Sequence, residues 1–285
     1  MTATTVSPGA RSAAAPAPAR TPGARLTFGG VLRSEWIKIR TLRSTVWSLV
    51  IAIVLMVGTT ALVAWGAASD AVEGEWAAAE LVGPGGYFAL LVFAVLGVLT
   101  ITGEYSTGQI RSTLAAVPAR TPALLAKAVV LAAVAAVTTL VGVVLATAVG
   151  MPWHGALGIT LDLSDAETLR MLGGMPLLMA GIALFGFAIG ALVRSSPGAL
   201  AIVLGLLLVV ENVITAIPLS FFDHIEPFLP SSAGSRLILT QESLDLVNEA
   251  SAGVDLGAWQ GYGVLLGWVA VLMVLAAVLL RRRDA

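Results

Sequence analysis

Residues 103–122 read GEYSTGQIRSTLAAVPARTP, a polar stretch set between two long apolar runs, 86–102 and 123–149. Neither run carries a strand-like alternation, and each approaches or exceeds the roughly 20 apolar residues a helix needs to cross hydrocarbon. Within the polar stretch, Ser106 followed by Gln109 has the spacing of a capping box. Ile110, Leu114 and Val117 then recur at helical spacing, with Arg111 offset from them and Pro118 ending the run. This pattern predicts a short amphipathic helix on the end of a membrane span. Such a helix serves either to dock a soluble partner or simply to connect two spans.

Working outward, four more apolar segments of similar length appear, giving spans at about 46–67, 86–102, 123–149, 171–193, 198–217 and 259–280. With 58% hydrophobic and 12% charged residues among 285, the chain is too apolar for a soluble globular protein. The expected fold class is an all-α polytopic membrane protein, not a β-barrel. The formal net charge of −1 hides a sorting of charges along the chain. Arg33, Lys38, Arg40, Arg43, Arg111, Arg120, Lys127, Arg194 and Arg281 to Arg283 fall on one side of the alternation; Asp70, Glu73, Asp162, Asp165 and Glu167 fall on the other, with only Arg170 and Arg236 for basic company. By the positive-inside rule both termini are cytoplasmic.

The chain divides into three parts. Residues 1–27 are rich in Ala, Pro, Ser and Thr and form an expected disordered cytoplasmic tail; its three Arg residues leave open a weak attraction to anionic headgroups. Residues 28–44 form an expected interfacial amphipathic helix, with Phe28, Val31, Leu32, Trp36, Ile39 and Leu42 on one broad face and Arg33 and Arg40 away from it. Glu35 interrupts that face. It pairs either with Lys38 at i,i+3 or with the neighbouring cytoplasmic loop. Residues 45–285 form the six-span membrane domain.

Inside the membrane domain, Gly142, Ala146 and Gly150, and then Gly186 and Gly190, recur every four residues, a spacing that lets helices approach closely. Ser195 and Pro197 open a helix after a tight turn, making spans four and five a hairpin. Glu211 and Asn212 lie near the outer half of span five. A carboxylate there costs roughly 2.5–3.5 kcal/mol on insertion scales and must face protein or water. It is either part of a transport path or a hydrogen-bonded structural group. Residues 218–258 combine Pro-broken apolar pieces, expected to dip into the outer leaflet, with an amphipathic helix expected over 235–247.

Much chemistry is missing from the sequence. No G-x-x-x-x-G-K-[ST] phosphate loop, H-E-x-x-H, G-x-S-x-G or cysteine occurs, and His154 and His224 lack partners at ligand spacing. No catalytic residue, cofactor or metal is expected, and no nucleic-acid partner.

Two motifs carry a family resemblance. Glu35-Trp36-Ile-Lys38-Ile-Arg40 precedes span one, and Glu104-Tyr105-Ser-Thr-Gly108-Gln109 follows span two. Together with six spans and a Pro-broken outer segment before the last, the chain resembles the permease subunit of an ABC-2 type ATP-binding cassette exporter over about residues 28–283. Gln109 departs mildly from a family pattern in which a hydroxyl residue is commoner. The resemblance implies a plasma-membrane permease that is not itself an enzyme. A separately made ATPase subunit drives it, two permease chains pair as a homodimer or heterodimer, and an unknown substrate is exported. It further implies that Glu104, Tyr105, Gly108, Gln109, Arg111 and Leu114 belong to a coupling helix seated on the ATPase, with Glu35, Trp36, Lys38 and Arg40 on the helix beside it. The competing readings are an ion- or proton-coupled secondary carrier using Glu211, and a non-transporting assembly or sensor subunit.

Overall fold

The computed structural model describes residues 27–69, 78–110, 112, 121–155, 157–159, 161–217, 219–251 and 254–282. In chain order the helices are α1 (Phe28–Thr41), α2 (Arg43–Ser69), α3 (Ala78–Ser106), α4 (Thr121–His154), α5 (Ala166–Val193) and α6 (Ser196–Ala216). The short α7 (Ser220–Asp223), α8 (Pro230–Ser235) and α9 (Gln241–Ala250) precede α10 (Ala258–Arg282). Strands are absent among the described residues. Six helices, α2 to α6 and α10, are long and apolar enough to cross a membrane, in agreement with the fold class expected from composition.

α5 forms the centre of the bundle. Met175, Met179, Ile182, Phe185 and Phe187 on it are almost fully buried, and it packs against α3, α4, α6 and α10. The peripheral helices α2 and α10 turn Trp47, Val54, Leu62, Val271 and Val274 outward, as lipid-facing surfaces do. The tightest crossing is between α3 and α5. A Cβ on Gly97 would sit 2.0 Å from the Ala183 carbonyl oxygen, and one on Gly186 would sit 2.3 Å from that of Ala94. The two backbones therefore touch at reciprocal glycines, which is how transmembrane helices gain dispersion contact without a hydrophobic drive between them. Gly190 packs against Val98 and Ile101, and Gly142 against Met56, so these small residues are used as their spacing suggests.

The structure departs from the sequence reading in three places. α3 starts at Ala78, eight residues before the expected second span at 86–102, and takes Pro84 into its interior; burial of Leu81 and Val82 offsets the hydrogen bond that a proline inside a helix forfeits. Span five is not one regular helix: a π-helical turn, Gly205–Val210, separates Ser196–Leu204 from Glu211–Ala216. The outer amphipathic helix is α9, not 235–247. Thr240 caps it by accepting from the Ser243 amide at 3.2 Å, while Arg236 and Leu237 before it are buried.

Replacing Gly186 with leucine is expected to abolish a monodisperse membrane-extracted protein. The same change at Gly58, whose Cβ would meet nothing within 4 Å, is expected to leave size-exclusion behaviour and thermal midpoint nearly unchanged.

Candidate functional site

The polar residues converge at the basic end of the bundle, and the geometry starts with α1. Thr27 caps it by accepting from the Gly30 amide, and Val31, Glu35 and Ile39 form its buried stripe at four-residue intervals. Ile39 packs on Val130 and Val134 of α4. That apolar contact brings Glu35, one turn from Ile39, against Lys127, one turn from Val130. The last turn of α3 supplies Glu104 to the same place.

The result is a closed ring of four charges. Lys38 donates to Glu35 Oε1 at 2.8 Å and to Glu104 Oε1 at 2.9 Å. Lys127 donates to Glu35 Oε2 at 2.5 Å and to Glu104 Oε1 at 2.8 Å. Glu35, Glu104 and Lys127 are buried, with residue exposures of 1%, 6% and 4%, while Lys38 forms the rim. The formal charges cancel, so the ring removes two carboxylates and a lysine from water without leaving a net charge behind. Glu104 Oε2 is buried with no hydrogen-bond partner. Burial works against the Lys38 ammonium, but hydrogen bonds from it to Glu35 and Glu104, and their charges, outweigh burial and hold its pKa above the ordinary lysine value. A cavity of about 330 Å³ lies beside the ring, lined by Thr45, Ser48, Thr100 and Gln109 among others.

Glu35 thus meets the first alternative open to it in the sequence, pairing with Lys38 on its own helix, while its second partner is Lys127 on α4 and not a residue of the neighbouring loop. Trp36 and Arg40 point away from the ring and are exposed. Tyr105 lies under the Arg194 guanidinium, 5.3 Å from the ring centroid. Ser106 closes α3 by donating to the Gly103 carbonyl, and Gly108 turns the chain with φ of 71°, a left-handed conformation suited to glycine after a helix. The Ser106 hydroxyl therefore serves the end of α3. Gln109, Ile110 and Ser112 are helical, Ile110 is buried, and Ser112 donates to the Gln109 carbonyl at 2.8 Å. Arg111 and Leu114 of the expected coupling helix lie outside the described residues.

Lys127 is the member that sequence reasoning missed. It counted only toward topology, yet a lone lysine four residues into an otherwise apolar run is itself a signal that a partner carboxylate waits nearby.

At the opposite end, Glu211 and Asn212 follow the π-helical turn of α6. Glu211 is 4% exposed and accepts from the Ser231 and Ser232 amides, each at 3.1 Å, and from the Ser232 hydroxyl at 3.4 Å. Asn212 donates to the carbonyls of Leu207 and Leu208 in the π-helical turn, at 3.4 and 3.0 Å. The remaining outer segment is pinned by two arginines. Arg170 donates to the Leu237 and Leu239 carbonyls, and buried Arg236 to Asn248, Leu256 and Ser251. Among the described residues no group of three His, Cys, Asp or Glu side chains is arranged to hold a metal ion.

Comparison with known proteins gives one family. Residues 31–212 match the family described as ABC-2 family transporter protein, which takes in α1, the charge ring and the spans as far as Asn212. No curated protein matches the chain.

Two measurements check the ring. Lys127→Met is expected to destabilise the detergent-solubilised protein by about 3–5 kcal/mol, because two buried carboxylates are left to share one cation. The double change Glu104→Gln with Lys127→Met restores neutrality and should recover part of that loss, a coupling of about 0.5–3 kcal/mol by thermal unfolding. Since the folded-state pKa of Lys38 is raised, its contribution is fully present below the ordinary lysine value of 10.5 and is lost as pH climbs through the folded value. Stability attributable to Lys38, read as the difference from Lys38→Met, should therefore be flat through neutral pH and disappear only in strongly alkaline solution.

Proposed function

Because the chain belongs to the ABC-2 transporter family, it is the multi-pass membrane component of an ABC transporter, and we propose that it exports its substrate under power from a separately encoded ATP-binding cassette subunit. In this reading the segment between α3 and α4 is the coupling region, the basic end of the bundle faces the cytoplasm of a plasma-membrane protein, and two permease chains pair around the path. Residues 1–27 are then a cytoplasmic tail, 28–44 the interfacial helix and 45–285 the membrane domain.

The observation that carries the proposal is the charge ring. It fastens α1 to the last turn of α3 and the first turns of α4, the two helices that flank the coupling segment. A displacement applied to that segment is thereby passed to three helices at once and not absorbed in a loose loop. Glu104, Tyr105, Gly108, Gln109, Arg111 and Leu114 form the docking region in this reading. Glu35, Lys38 and Lys127 tie it to the spans, Trp36 and Arg40 sit at the lipid boundary, and Glu211 and Asn212 border the path. A non-catalytic role agrees with a sequence that has no phosphate loop.

Co-expression with a cassette ATPase should yield a complex that co-purifies and hydrolyses ATP faster than the ATPase alone. Gly108→Pro, which cannot adopt the left-handed turn, should lose both co-purification and stimulation while the membrane subunit still elutes as a folded protein. Undiminished pairing and stimulation in that variant would overturn the docking assignment, and ATP hydrolysis by the isolated chain would overturn the division of labour.

A further inference from the structure

Beneath α8 and the turns around it, a cavity of about 580 Å³ opens between α3, α5, α6 and the outer segment. Its floor is apolar, with Leu90, Met179 and Leu207, and its rim carries Asn212, Thr215 and Ser232. Glu211 forms part of the wall and is buried. That size is typical of sites that enclose a drug-sized molecule.

The charge at this wall is not balanced as it is in the ring at the other end. The Glu211 carboxylate accepts from neutral donors, two backbone amides and one hydroxyl. These solvate an ionised carboxylate but bring no formal positive charge. Among the described residues no Lys or Arg forms an ion pair with it. A carboxylate offset only by dipoles, on the wall of a roomy apolar cavity, attracts a cation and repels an anion, and the low-dielectric surroundings strengthen both effects.

We propose that this cavity selects cationic amphiphiles, with an apolar body on the Leu90, Met179 and Leu207 floor and a positive head facing Glu211. The inference rests on the transport reading and supplies the substrate class for the path that Glu211 and Asn212 border. The donors from Ser231 and Ser232 fix the carboxylate in place, so the site is formed before the ligand arrives and little ordering is needed on binding.

The test is equilibrium binding of radiolabelled tetraphenylphosphonium to the purified full-length protein in detergent, without the ATPase. Saturable binding is expected, displaced by decyltrimethylammonium and not by decanesulfonate, which presents the same chain with the opposite charge. Glu211→Gln should weaken tetraphenylphosphonium binding at least tenfold. Thr215→Lys puts a positive charge at the rim without removing the carboxylate that caps α8. It should weaken binding likewise and serves as the second variant if Glu211→Gln does not fold. Equal displacement by the two chains, absence of saturable binding, or undiminished affinity in folded Thr215→Lys would each overturn the proposal. Because no ATPase is present, failure here leaves the docking result intact, and loss of docking in Gly108→Pro leaves this binding measurable.

Discussion

Charges removed from water at the edge of a membrane must find their opposites within the protein, and the four-membered ring of Glu35, Lys38, Glu104 and Lys127 meets that demand for three helices together. Each carboxylate contacts both ammonium groups, so neither α3 nor α4 can withdraw without stranding a charge. The ring does not supply the bulk of the association energy; packing along α3, α5 and the Ile39 contact on α4 supplies that. What it fixes is register. An apolar face alone does not fix where α1 sits along α4, whereas displacing Glu35 from Lys127 would cost each of these buried groups one of its two charged partners.

The outer end follows the same rule with other means. Here the chain is irregular, a succession of short helices and turns, and irregular backbone near a membrane needs partners for its free carbonyls and amides. Arg170 and Arg236 supply donors to five backbone and side-chain groups between them, and Glu211 accepts the first amides of α8. The only two basic residues assigned to that side by sequence are therefore consumed in holding the outer segment together. Among the described residues Glu211 has no cationic partner, which is why its surroundings differ so much from those of Glu35 and Glu104. The π-helical turn just before it frees carbonyls that Asn212 recovers, a local irregularity of the kind that often accompanies function in membrane helices.

Much of the architecture was legible from residue order because a bilayer imposes a simple length and polarity requirement. Six apolar runs gave six helices, and the four-residue recurrence of Gly186 and Gly190 marked the face of α5 that meets α3. Gly97, its counterpart, carried no pattern: no glycine stands four residues to either side of it, and it is defined only by what lies across from it. The start of α3 fell outside the expected span 86–102 because Pro84 and Gly85 disfavour helix by local propensity, and burial of Leu81 and Val82 overrode that propensity. The outer helix was misplaced by several residues because Arg236, an ordinary surface residue by type, is buried.

The order of residues by itself determined the number of crossings, the sorting of charge between the two ends, and the motifs that mark an ABC-2 permease. These follow from additive properties of short windows: hydropathy, spacing and sign of charge. Only the tertiary structure decided that Glu35, from position 35, and Lys127, from position 127, share a hydrogen bond, and that Glu211 faces a cavity with no ion-pair partner among the described residues. Those facts depend on which helices become neighbours. Neighbourhood is set by the packing of many small contacts at once, and no single window of sequence contains it.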